Sequence, residues 1–168
     1  MNVIHLFESD RQAYWIEEIG KSDWSAGGLL YGLLKDGDFF KWVGEGSEVL
    51  LLVQGDTLIS YCTFAKMDDI QPTDLSPWVG FVYTFPAYRG RRCVGLLFAE
   101  ADRLARRAHI SEVYVSTNHI GLYEKYGCTF LKTAKDLEGE WSRIYVRRVQ
   151  DSDAVPQDAA LPDASHQD

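Results

Sequence analysis

Apolar and polar positions follow regular periods along most of the chain, and each period predicts an element. "NVIHLF" (2–7) alternates and reads as an edge strand. "DRQAYWIEEIG" (10–20) reads as a helix, with Asp10 as its cap and Gly20 as its stop. "SAGGLLYGLLKDGDFFKWVG" (25–44) is a second helical region with glycines at both ends, which Gly27 and Gly28 would open tightly. "EVLLLVQGDTLISYCTFAKMDD" (48–69) holds two β-rich runs around Gln54-Gly55-Asp56, a hairpin signal. "PWVGFVYTF" (77–85) is a further strand, closed by Pro86. Beyond it, Val94, Leu97, Phe98, Ala101, Leu104, Ala105 and Ala108 keep the i, i+3, i+4, i+7 spacing of an amphipathic helix. Arg106 and Arg107 fall in its last turn, where cations suit the helix dipole. "SEVYVST" (111–117) then reads as a strand, "HIGLYEKYG" (119–127) as a short helix, and "CTFL" (128–131) and "WSRIYVRRV" (141–149) as strands. The order β-α-α-β-β-β-α-β-α-β-β predicts one mixed α/β (α+β) domain over 1–150, with helices flanking a central sheet. The run 141–149 reads as an exposed strand on which a homodimer could pair.

Charge narrows the partners. The formal net charge is −8, and much of it comes from five Asp in 151–168, a segment without Lys or Arg. That segment also holds Pro156 and Pro162 and little large apolar surface, so it reads as an acidic disordered tail. The remainder lacks the basic footprint that a nucleic-acid backbone requires. "VLLLV", the longest aliphatic run, is far short of a membrane span. "MNVIHLFESD" does not read as a signal peptide. Cys62, Cys93 and Cys128 form no CxxC pair, and His5, His109, His119 and His166 show no paired ligand spacing. The expectation is a cytoplasmic protein with reduced thiols and no metal.

The chemistry concentrates in "PAYRGRRCVGLLF" (86–98), where Arg89, Arg91 and Arg92 surround Gly90 as a strand gives way to a helix. A helix start leaves backbone N–H groups free, and these groups and the dipole favour an anion, phosphate above all. Gly90 permits close approach of a ligand to the backbone. The stretch reads as a diphosphate cradle, or else as an exposed basic helix start without a ligand. A P-loop would need a Gly-Lys-Ser/Thr ending and a dinucleotide fold GxGxxG; here only Gly90 and Gly95 stand.

Taken together, "VYTFPAYRGRRCVGLLFAEADRLAR" and the downstream "VYVSTNHIGLYEKYGCTFL" resemble the GNAT superfamily of acyl-CoA-dependent N-acetyltransferases. That family's mark is a strand, a Pro-x-Tyr-Arg-Gly-x-Gly-x-Gly/Ala loop and a helix, followed later by Leu-Tyr-Glu-Lys-x-Gly-Phe. Here two of the loop glycines are replaced by Arg92 and Val94, and the last Phe by Cys128. The resemblance implies a mostly antiparallel mixed sheet flanked by helices, and acetyl-CoA as co-substrate. It implies that Val82, Tyr83 and Thr84 pair with the pantetheine arm, that Arg89, Gly90, Arg91, Arg92, Cys93, Val94 and Gly95 hold the diphosphate, and that Asn118 reaches the arm. Tyr123 falls on the family's general acid, which protonates the departing thiolate; its plain alternative is a half-buried packing aromatic.

An acceptor ammonium must lose a proton before it attacks a thioester. "SPWVGFVYT" holds no carboxylate, so Asp68, Asp69, Asp74 and His119 are the candidates for a base, or solvent serves. Trp24, Tyr31 and Trp78 could wall an acceptor pocket in which Asp69 pairs with the amine; each could equally be a core residue. The acceptor is expected to be a small-molecule or peptide amine. A rival reading is a non-catalytic acyl-CoA sensor or partner-binding domain on the same fold.

Overall fold

"VLLLV" breaks the alternation expected of a half-solvated strand because it is covered on both faces. In the computed structural model, which describes residues 1–151, it lies within strand β2 (Glu48–Gln54). Leu50 and Leu52 point to one core, and Val49, Leu51 and Val53 to the other. The elements are β1 (Asn2–His5), α1 (Gln12–Gly20), α2 (Ser25–Asp36), α3 (Phe39–Val43), β2, β3 (Thr57–Ala65), β4 (Trp78–Thr84), α4 (Val94–Arg107), β5 (Glu112–Thr117), β6 (Cys128–Lys135) and β7 (Trp141–Arg148). Seven strands form one sheet in the order β1-β2-β3-β4-β5-β7-β6. All neighbours run antiparallel except β4 and β5. Helix α4 lays Leu97, Phe98, Ala101 and Ala105 on one face of the sheet. Helices α1 to α3 cover the other with Trp15, Ile19, Leu30, Phe39 and Val43. The mixed, mostly antiparallel sheet flanked by helices is the predicted architecture.

Several local expectations change. Asp10 does not cap α1: the cap position is Arg11, whose N–H donates to Ser9 Oγ at 3.0 Å and whose guanidinium meets Asp56 at 2.6 Å. The region 25–44 is two helices, because Gly37 takes a left-handed φ of 76° and ends α2. Gly27 is needed for space: a Cβ there would lie 2.5 Å from the Tyr61 hydroxyl. The stretch 119–127 is one 3-10 turn, Tyr123–Tyr126, closed by Gly127 at φ 79°. Strand β7 is not an exposed edge: β5 and β6 flank it and Ile144 and Tyr145 are fully buried. The sheet's edges are β1 and β6, and β6 carries exposed Phe130 and Leu131. The tail reading for 151–168 lies, apart from Asp151, outside the described residues.

Candidate active site

Parallel neighbours β4 and β5 touch at one register position only, Trp78 with Tyr114, where the Tyr114 N–H also donates to the Pro77 carbonyl at 3.0 Å. Past that point they separate. A bulge helps to open them: Tyr61 pairs with Tyr83 but Thr63 with Gly80, so Phe81 and Val82 together oppose Cys62. Phe81 sits there at φ 49°, a conformation costly for a bulky side chain and held by its packing against Trp42. The result is a cleft of about 1060 Å³ between the two strands, floored by β4 from Val79 to Thr84 and flanked by Val115, Ser116 and Thr117 of β5. Along the cleft the edge of β4 facing β5 has no strand partner among the described residues.

One end of the cleft is the turn into α4. Gly90 (φ 77°) and Arg92 (φ 55°) both take left-handed conformations, so the chain curls and its amides converge. Among the described residues the N–H groups of Gly90, Arg91, Cys93 and Val94 donate to no backbone carbonyl. A Cβ on Gly90 would meet nothing, so the approach is open. Helix α4 runs for 14 residues behind these amides, which aims the positive end of its dipole at the cleft. Arg92 occupies a backbone conformation suited to glycine, and its guanidinium compensates: it donates to the Lys125 carbonyl at 2.9 Å and lies 5.6 Å over the Tyr126 ring. It thereby ties the anion turn to the 3-10 turn that carries Tyr123.

Tyr123 lines the cleft. Its ring is buried edge-on against Phe98 at 6.2 Å. Burial first, then Cys62, Cys128, Asp68 and Tyr126, pushes its hydroxyl well above the usual phenol range, so it carries its proton at neutral pH. The three thiols are buried too. Burial raises Cys62 and Cys93, and takes Cys128 to about 11.

The opposite end is acidic. Asp68 and Asp69 of the β3–β4 loop face Asp136, Leu137 and Glu138 of the β6–β7 loop. The two loops are joined where the Leu137 N–H donates to the Asp69 carbonyl at 2.8 Å. The Asp68 carboxylate rests directly on Gly80 of β4, with both oxygens 2.9 Å from where a Cβ would stand. Burial, reinforced by Asp69, pushes Asp68 up to about 8. Burial raises Asp69 as well, and one of its carboxylate oxygens is buried without a hydrogen-bond partner.

Of the residues singled out in the sequence, Trp24, Asp69, Val82, Tyr83, Thr84, Arg89, Gly90, Arg92, Cys93, Val94 and Tyr123 line this cleft, as do Asp68 and His119. Others lie elsewhere. Trp78 is fully buried against Ile70 and Ile144, and its indole N–H donates to the Leu75 carbonyl at 2.8 Å, so it is no acceptor wall. Tyr31 packs on Gly20 and donates to Glu17 at 3.0 Å, away from the cleft. Asn118 is exposed and outside the lining, and Arg91 stacks at 5.7 Å on Tyr88. Gly95 borders a smaller neighbouring cleft with Phe98, Tyr126 and Arg147. Arg89 lines the cleft but turns back: its Nε donates to the Thr84 carbonyl at 2.9 Å and its tip lies 3.6 Å from Asp23. Asp23 also accepts from the Tyr83 hydroxyl, and Trp24 stacks on the Tyr83 ring at 5.9 Å. Sequence reasoning missed Asp23, Gly80, Ser116 and the 136–138 loop. "KDLEGE" does carry a turn signal, for Asp136 Oδ1 accepts from the N–H groups of Glu138 and Glu140; that it meets the 67–77 loop is not encoded locally.

Among the described residues no group of three or more His, Cys, Asp or Glu could hold a metal ion, and no helix is long and apolar enough to cross a membrane. No family model matches the sequence, and no curated protein does. Solved structures match across nearly the whole chain. A Desulfovibrio desulfuricans protein assigned to the GNAT family of acetyltransferases superposes with a TM-score of 0.62 at 13% identity, over 88% of this chain and 98% of its own. An acyl-CoA N-acyltransferase from Pseudomonas aeruginosa gives 0.58 at 17%, over 87% and 97%. An aminoglycoside 6'-N-acetyltransferase in complex with coenzyme A gives 0.64 at 8%, over 90% and 99%. The chain therefore has the GNAT fold.

Proposed function

We propose that this protein is an acyl-CoA-dependent N-acetyltransferase that passes an acetyl group from acetyl-CoA directly to an amine. The observation that carries this reading is the meeting, in one cleft, of an unpaired strand edge, a set of free amides at a helix start and a protonated phenol. The amide-bearing pantetheine arm would add to β4 as a strand does, along Val82, Tyr83 and Thr84. The amides of Gly90, Arg91, Cys93 and Val94, with the charge of Arg92, would hold the diphosphate. A β4 N–H would polarise the thioester carbonyl. Tyr123 would give its proton to the departing sulfur. Direct attack is favoured because burial keeps Cys62, Cys93 and Cys128 as thiols, which are poor nucleophiles. The acidic end of the cleft suits an acceptor that arrives as an ammonium, a class that includes the aminoglycosides acted on by a protein of the same fold.

Thiol release from acetyl-CoA, followed with a panel of primary amines, tests the reading. At least one amine should give turnover. Saturable acetyl-CoA binding with no turnover on any amine would support the sensor reading instead, and absence of binding would reject both.

A further inference from the structure

An amine that reaches this cleft at neutral pH is an ammonium without a nucleophilic lone pair, and strand β4 offers no carboxylate of its own to take the proton. The geometry points to Asp68 as the group that does. This assignment rests on the acetyl-transfer reading.

Three observations lead there. Gly80 leaves the surface of β4 bare at the point where the strands part, and the Asp68 carboxylate fills the space a side chain would take. The loop thus delivers to the strand what the strand's own sequence lacks. Asp68 lines the same cleft as Tyr123, near enough for its charge to act on the phenol. Among the described residues no cationic side chain is paired with Asp68. The charged and titratable groups around it are Asp69 beside it, Tyr123 across the cleft, and Asp136 and Glu138 beyond Asp69. None of these is a cation, so the ammonium of the acceptor supplies the missing positive charge. The remaining candidates are placed less well: Asp74 lies outside the cleft lining, and His119 is exposed at its mouth.

In the step so described, the Asp68 carboxylate takes one N–H proton from the acceptor ammonium. The freed lone pair forms the C–N bond to the acetyl carbon as the C–S bond breaks. The sulfur keeps the bonding electrons and takes the Tyr123 proton; the second N–H proton restores Tyr123 through water, and Asp68 releases its own to solvent. Ammonium and thioester become amide, thiol and one free proton. Burial, reinforced by the neighbouring Asp69 carboxylate, holds Asp68 at about 8, so it is basic enough to compete for an ammonium proton yet ionises in the working range.

The test pairs kinetics on Asp68→Asn with carbon-13 NMR titration of the carboxylates in the unmodified protein. The variant should bind acetyl-CoA as the parent does, lose about 100-fold or more in kcat, and lose the rising limb of the pH–rate profile. The parent spectrum should show one Asp carboxyl, absent from the variant spectrum, titrating well above the usual range and moving when the amine substrate is added. If Asp68→Asn retains the parent rate and pH profile, or if the Asp68 carboxyl titrates as an ordinary carboxylate, the assignment fails while acetyl transfer stands. If the parent does not bind acetyl-CoA, the reading beneath it fails and takes the assignment with it. Should the variant not fold, the Asp68 carboxyl is assigned in the parent through its own backbone signals, and the NMR titration with and without the amine decides.

Discussion

Removing Asp102 should damage both the stability and the chemistry of this protein, by separable routes. Asp102 of α4 and Arg147 of β7 form a two-pronged ion pair at 2.7 and 3.2 Å, at 2% and 9% exposure. The third nitrogen of Arg147 donates to the Tyr126 carbonyl, and the guanidinium lies 5.0 Å over Phe98. The pair therefore anchors the end of the turn on which Tyr123 sits. Asp102→Ala leaves an unpaired buried guanidinium, which costs ~3–5 kcal/mol. At roughly 2–4 °C per kcal/mol for a domain of this size, Tm should fall by about 6–20 °C. The double change Asp102→Leu with Arg147→Met removes both charges and refills the space. It should recover much of that loss, less the ~1–3 kcal/mol of a Tyr126 carbonyl left without its donor. Turnover should recover only in part, because the turn has lost its Arg147 anchor at Tyr126 and keeps only the Arg92 contacts. Calorimetric melts and thiol-release assays on both variants decide it. A single variant within 2 °C of the parent, or a double variant as unstable as the single one, would contradict the reasoning.

Tyr123→Phe should lower kcat by about 100-fold, the lower end for a general acid because a thiolate leaves readily, with the affinity for acetyl-CoA unchanged by calorimetry. Arg92→Ala keeps the left-handed φ of 55° without the contacts to Lys125 and Tyr126, whereas Arg92→Gly removes the strain as well. The glycine variant should therefore be more stable than the alanine variant by ~1–2 kcal/mol in urea melts, and both should bind coenzyme A more weakly with a shallower salt dependence. The raised Asp68 acid makes folding favour its protonated form. That contribution is complete below 3.8, its ordinary value, and is lost as pH rises through about 8. The Tm of the parent relative to Asp68→Asn should accordingly decline from pH 4 to 8 and then level off; a constant difference would show an unshifted group.

What the sequence disclosed and what it withheld divide along a physical line. Strands, the hairpin at Gly55 and helix α4 follow from periodicity, because each side chain's burial repeats with the backbone. The turn at Gly90 was legible for a related reason: amides at a helix start are exposed whatever the rest of the fold does. Even the replaced glycine kept its backbone role, since Arg92 adopts the left-handed conformation. Whether Trp78 and Tyr31 face the cleft or the core was not legible, because sheet register decides it for the first and the packing of α2 on α1 for the second. Strand β7 seemed open because its neighbours β5 and β6 are distant or reversed in chain order. The acidic end depends on two loops some 70 residues apart meeting at Asp69 and Leu137, which no local pattern specifies.

The central claim is that the parted β4 and β5, together with the start of α4, form one acyl-CoA site. Amide NMR during titration with acetyl-CoA addresses it residue by residue. The N–H signals of Gly90, Arg91, Cys93 and Val94 should shift together with those of Val82 to Thr84, along a single saturating curve that weakens with added salt. An unchanged spectrum at millimolar acetyl-CoA, or shifts confined to residues outside this cleft, would contradict the account.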